Sequence, residues 1–125
     1  MALSVLALPA AFGEEAVPDG VHKGYHENGK LKFEVTYKNG KKDGIHRGWY
    51  ENGLLKFDTN WIDDKKDGLE RRWYENGHLE SESMHKDGKK DGLFRGWNES
   101  GHLKYEVNWK DNKREELRRE WSLRK

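Results

Sequence analysis

Trp49, Trp73, Trp97 and Trp121 recur every 24 residues, and Tyr25 holds the same phase one interval earlier. Two residues before each stands a cation: Lys23, Arg47, Arg71, Arg95 and Arg119. Trp and Arg are the side chains most enriched at interaction hot spots. If strands carry them, residues two apart share a face, so these ten side chains form two neighbouring stripes on one candidate binding surface. The same residues also have an internal use, with each cation packed over an aromatic ring as a support worth about 0.5–1 kcal/mol per exposed pair.

Bond-making chemistry is harder to find. The six His are His22, His26, His46, His78, His85 and His102. Same-phase pairs among them are a repeat apart, about 10 Å if two strands intervene, which is too far to share a zinc ion that binds nitrogen at about 2 Å. Acidic residues recur by repeat instead of converging in pairs, and no Ser/His/Asp arrangement sits in a nucleophile elbow. No active site, metal site or cofactor motif is read, and a non-catalytic chain is expected.

Composition narrows the class further. At 125 residues the chain is long enough for one domain, but 33% hydrophobic against 38% charged argues against a thick two-layer core. An aromatic share of 12% is too high for a disordered polymer, so burial must be thin and aromatic-led. With no Cys there is no disulfide frame, and the redox compartment is left open. Lys+Arg 24 against Asp+Glu 23 lacks the basic excess of a nucleic-acid domain, so nucleic acid is not an expected partner.

Residues 1–13 are set apart. Leu3, Val5, Leu6, Leu8 and Ala11 form an apolar stretch, and Ala11-Phe12-Gly13 offers small residues for cleavage ahead of Glu14. An export signal is expected there, with no basic residue before it and too short to span a bilayer. Residues 14–18 read as a linker. An exported location, in the envelope or outside the cell, follows if 1–13 is a signal, and a cytoplasmic one if it is not.

From Asp19 onward the chain repeats. Asp19-Gly20, Asp43-Gly44, Asp67-Gly68 and Asp91-Gly92 are 24 residues apart. Thirteen of the fourteen Gly fall on four phases of this period, which chance does not produce. The units are 19–42, 43–66, 67–90 and 91–114, with a partial fifth at 115–125. Each reads as a β-hairpin, with strands at 20–27 and 31–38 around Asn28-Gly29, a pair suited to a two-residue type I′ turn. The second connection is Asn39-Gly40-Lys41-Lys42-Asp43. A helical end is considered only at Lys113–Lys125. The expected fold is all-β: an elongated single-layer antiparallel sheet of tandem 24-residue hairpins.

A two-residue turn would set Gly24 opposite Phe33, Gly20 opposite Tyr37 and Lys23 opposite Glu34, with Arg47/Asp58, Arg71/Glu82 and Arg95/Glu106 following by repeat. Each unit would gain an opposite-charge cross-strand pair and an aromatic covering a bare glycine backbone. A three-residue loop would gather the apolar side chains on one face. Register decides, because a slip of one exchanges the faces. A second aromatic column, Tyr37, Trp61, His85 and Trp109, fails in the third unit, where Ser81, Ser83 and His85 replace apolar residues. That gap reads as a weak point of the array ahead of a ligand entrance. The doublets Lys41-Lys42, Lys65-Lys66, Lys89-Lys90 and Lys113-Arg114 make a basic stripe matching an anionic lipid surface, but Asp43, Asp67, Asp91 and Glu115 offset it, so solvated turns are favoured.

Tyr50-Glu51-Asn52-Gly53, Trp73-Tyr74-Glu75-Asn76-Gly77 and Tyr37-Lys38-Asn39-Gly40-Lys41-Lys42-Asp43-Gly44 resemble the MORN-repeat variant of bacterial proteins often described as YwqK-type antitoxins. The likeness covers about 19–125. It implies a row of antiparallel hairpins in one twisted sheet, no enzyme activity, and work by binding, with a toxin as partner if the antitoxin label applies. Asp63-Asp64, Ser81/Ser83/His85 and Glu115-Glu116 depart from the pattern, and an export signal fits poorly with a cytoplasmic antitoxin. Hairpins with Gly-Trp-Tyr motifs also resemble choline-binding repeats, which makes carbohydrate or cell-wall binding the alternative. A single sheet with Trp and Phe columns must curl, self-associate or take a partner, so a protein-binding or self-associating module is the expected function.

Overall fold

The computed structural model describes residues 17–120, with side chains through Glu115. The expected export signal at 1–13 and Trp121 lie outside the described residues, as does the side chain of Arg119. All described elements are strands: β1 (Gly20–Tyr25), β2 (Leu31–Lys38), β3 (Lys41–Trp49), β4 (Leu55–Ile62), β5 (Lys65–Lys66), β6 (Gly68–Trp73), β7 (Leu79–Lys86), β8 (Lys89–Trp97), β9 (Leu103–Lys110) and β10 (Lys113–Glu120). They form one open antiparallel sheet in chain order, with the short β5 pairing β4 just ahead of β6. The helical end considered at Lys113–Lys125 is not formed, because Lys113–Glu120 pairs with β9. A dozen residues make a marginal helix, whereas a ready strand edge supplies backbone partners at once.

The turns exchange the roles expected of them. Asn39 and Gly40 both have positive φ, 52° and 78°, as do Asp63 and Asp64 at 49° and 65°. The two-residue type I′ turns are therefore here, on residue types that tolerate the left-handed region. At Asn28-Gly29 only Gly29 is left-handed. Gly29 N–H donates to His26 O and His26 N–H to Lys30 O, enclosing the three-residue loop Glu27-Asn28-Gly29. Asn28 Oδ1 accepts from Lys30 N–H at 2.9 Å, which steadies that loop.

A longer loop should have shifted the ladder by one residue, but the expected pairs Gly20/Tyr37, Lys23/Glu34 and Gly24/Phe33 are all present. The ladder pairs Tyr25 with Leu31 and then Gly24 with Phe33, so Lys32 is an unpaired bulge that absorbs the surplus. The same slip recurs at Trp49/Leu55, Trp73/Leu79 and Trp97/Leu103. A second irregularity explains the Asp-Gly pairs. Tyr37 faces Lys42 and Val35 faces His46, so Asp43, Gly44 and Ile45 stand against Thr36 alone. Gly44 has φ 125° there, a value closed to other residues. Asp43 Oδ1 then accepts from Asp63 N–H, in the turn that follows β4, at 3.2 Å.

Burial is thin, as the composition requires. Among the described residues Val35 and Val107 are the buried hydrophobic ones, with Thr59 and Glu70 the buried polar ones. All four lie on one face, in a central row that also holds His22, His46, Ser83 and Phe94. A neighbouring row couples glycine to aromatic: Gly24/Phe33, Gly48/Phe57 and Gly96/Tyr105. A Cβ at any of these glycines would collide with the ring opposite. Gly48→Ala should therefore cost about 1–3 kcal/mol in urea denaturation. Combined with Phe57→Ser, its cost should fall below the sum of the singles by about 0.5 kcal/mol or more.

Candidate binding surface

Lys23, Arg47, Arg71 and Arg95 lie on the other face, and each has a partner. Lys23 pairs Glu34 at 3.7 Å, Arg47 pairs Asp58 at 3.6 Å, Arg71 pairs Glu82 at 3.2 Å and Arg95 pairs Glu106 at 3.8 Å. The backbone ladder continues the row without a break: Glu34 also faces Arg47, Asp58 faces Arg71, Glu82 faces Arg95 and Glu106 faces Arg119. The result is one line of alternating sign running from β1 to β9. Each pair is partly exposed and contributes modestly, about 0.2–1 kcal/mol. The row as a whole presents little net charge.

Two uncharged rows flank it. On one side stand Tyr25, Trp49, Trp73 and Trp97 opposite Leu31, Leu55, Leu79 and Leu103. Tyr25 is exposed and the three Trp are half-buried. On the other side stand Val21, Ile45, Leu69 and Leu93, opposite Thr36, Asn60, Met84 and Asn108. Val21 is 58% exposed, and Ile45, Leu69 and Met84 are also open to solvent. The aliphatic row was legible by the same phase arithmetic that found the Trp column, but it carries no residue type that draws attention.

Cations do stack on aromatic rings, though in the other column and on the opposite face. Lys42 lies 4.4 Å from the Trp61 ring centre and Lys90 4.3 Å from that of Trp109. The corresponding position in the third unit is His85, and Lys66 turns aside to Glu70 Oε1 at 3.0 Å. Glu70 is the member of this site that sequence reading missed, although the phase His22, His46, Glu70, Phe94 marks it. His85 Nε2 lies 3.4 Å from Glu70 Oε1, Arg72 Nε 3.8 Å from Oε2, and Thr59 Oγ1 donates to Oε2 at 3.3 Å. The polar gap of the third unit is thus filled by a network. Arg72 replaces the glycine of this row and Ser81 the aromatic opposite it, and Arg72 rests 5.5 Å from the Phe57 ring centre.

Ser83, His85 and Glu70 superficially offer a hydrolytic triad. Ser83 Oγ is 3.1 Å from His85 Nε2, but the Glu70 contact is made by the same nitrogen, while Nδ1 is buried without a partner. A relay needs the two ring nitrogens to serve different partners, so this geometry does not assemble one. Beside it a cleft of about 590 Å³ is lined by Trp61, His85, Lys65, Lys66, Lys89 and Lys90 among others. Among the described residues no group of His, Asp and Glu could hold a metal ion.

Side-chain ties at the loop end of the strands fix one unit to the next. Asn28, Asn52 and Asn76 donate through Nδ2 to the carbonyls of Glu51, Glu75 and Glu99, each at 3.1 Å. Tyr50 and Tyr74 hydroxyls donate to Trp73 and Trp97 carbonyls at 2.6 and 2.7 Å. The carbonyls of the Trp column are therefore held from the neighbouring hairpin, which keeps its side chains aligned.

One layer of hairpins that recur every 24 residues, with like side chains at most phases, defines a tandem β-hairpin repeat protein. The MORN repeat variant family matches residues 18–39, 66–87 and 90–111, together just over half of the chain, and the chain belongs to that family. The stretch between the first two matches contains Asp63-Asp64, where the turn departs from Asn-Gly. No curated protein matches the chain.

The Glu70 network generates a pH prediction. Burial alone would raise this carboxyl, but hydrogen bonds from His85 and Lys66 and the charges of Lys66 and Arg72 outweigh it and hold it at about 2. A depressed carboxyl contributes stability above its unfolded value, and that contribution is lost as pH falls from 4.5 toward 2. Glu70→Gln should cost on the order of 3 kcal/mol at neutral pH and flatten the acid limb of the stability profile. Urea midpoints measured at intervals from pH 7 to about pH 2.5 check both; an unchanged acid limb would contradict the assignment.

Proposed function

We propose that the chain is a non-catalytic module that binds a protein partner through the face carrying Lys23, Tyr25, Arg47, Trp49, Arg71, Trp73, Arg95 and Trp97. Arg119 and Trp121 continue its two rows by phase. The observation that carries the reading is an aromatic row on one side, and exposed aliphatic residues interspersed with Thr36, Asn60 and Asn108 on the other, of charges that already neutralise one another. Aromatic side chains at the centre of a neutral, partly polar surface are the kind that act as hot spots, and among the described residues no second layer covers this face. A partner gains from apolar contact here more than from free cations, so its affinity should depend weakly on salt.

Neutralising a toxic partner is the narrower form of this reading and rests on the resemblance to antitoxin proteins alone. Work in the envelope or outside the cell is also part of it, supported by the apolar stretch at 1–13. Retention of a partner by immobilised protein, compared with Trp49/Trp73/Trp97→Ala, tests the proposal. Partner retention should fall about ten-fold or more in the variant, as expected for loss of hot-spot aromatics, and persist for the parent in high salt. Equal retention by both proteins removes the aromatic row from the site. Sedimentation of the parent with cell wall in place of a protein would favour the carbohydrate alternative.

A further inference from the structure

The sheet has the same kind of strand at both ends. β1 and β10 hold the phase of β3 and β8, the first strands of their hairpins. An interior first strand has a second strand on either side. Arg47 is flanked by Glu34 and Asp58, and Gly48 by Phe33 and Phe57. Among the described residues β1 has only β2, so Lys23 meets one carboxylate and Gly24 one aromatic ring. Alternate backbone N–H and C=O groups along its outer side point away from β2, as in any edge strand.

We propose that the outer edge of β1 is a docking site for an extended segment of a partner polypeptide. The segment adds an antiparallel strand with an aromatic, an acidic and an aliphatic residue, in that chain order, facing Gly24, Lys23 and His22. The template is internal: Phe33, Glu34 and Val35 face Gly48, Arg47 and His46 in this way. Strand addition of this type takes affinity from the backbone and specificity from alternate side chains.

The same pattern argues against the chain as its own partner. A second copy offering its edge at the matching register would set Lys23 or Arg119 against Lys23, and like charges directly opposite are unfavourable. Residues 7–14, which precede β1 by the same phase, have Pro9 and Ala10 where the aromatic and the acid belong. Lys23 thus both deters indiscriminate pairing and selects an acidic strand. The proposal is independent of the aromatic face, since it uses neither the Trp column nor the aliphatic row beyond β1.

The test is a titration of isotope-labelled full-length protein with a capped eight-residue peptide of the sequence Leu31–Lys38, followed by NMR. Shifts should concentrate in residues 20–25, and the peptide carrying Glu34→Lys should bind weaker by about five-fold or more. Lys23→Gln in the protein should erase that preference, and Lys23→Glu should reverse it. Trp49/Trp73/Trp97→Ala should leave it intact, which separates this proposal from the reading of the face. No binding up to the peptide's solubility limit, a preference unaffected by Lys23→Gln, or shifts in β3 from displacement of Leu31–Lys38 would overturn it.

Discussion

Each three-residue loop carries one residue more than the ladder can use, and a bulged residue in the strand that follows, Lys32 in the first unit, takes up the surplus. Everything else depends on that cancellation. Without the bulge, Glu34 would no longer face Lys23 and Phe33 would no longer cover Gly24, because side chains alternate with period two. With it, the same opposition is reproduced from β1 to β9. The Asp-Gly bulge at the other end of each hairpin adds local twist and aims the Asp carboxylate at the next turn. Regular pairing in this sheet is maintained by two irregularities per unit.

The third unit shows that the side chains are coupled as sets. Where Ser81 replaces an aromatic, the residue opposite is Arg72 instead of glycine. The glycine phase exists to admit a ring, and without the ring the bare backbone has no purpose. Arg72 then lies over Phe57 and reaches Glu70, which gathers Lys66, His85 and Thr59 as well. A polar cluster of this size replaces a hydrophobic row without leaving its central carboxylate unpaired. What looks like a defect in the sequence is an alternative packing, with His85 Nδ1 left buried without a partner.

The repeat made most of the fold legible. Period, strand order and the opposition of Arg47 to Asp58 or Gly48 to Phe57 all follow from equal spacing and complementary residue types. The turns were harder, since Asn28-Gly29 and Asn39-Gly40 are chemically alike and only the loop's hydrogen bonds distinguish three residues from two. The bulge at Lys32 is invisible in composition because a bulged residue needs no special side chain. Glu70 escaped because its role depends on Lys66, Arg72 and His85 meeting across strands, while the eye follows the Trp and Arg columns. The Arg column and its cross-strand carboxylates were legible together, and the ladder adds a second carboxylate beside Arg47, Arg71 and Arg95.

The Asn and Tyr ties at the turns always join a residue to a carbonyl 23 positions onward. Removing or duplicating any whole block of 24 residues would bring equivalent partners back together at the splice. The length of this array is therefore free to drift by unequal recombination in whole steps, whereas a change of any other size would break both rails at once.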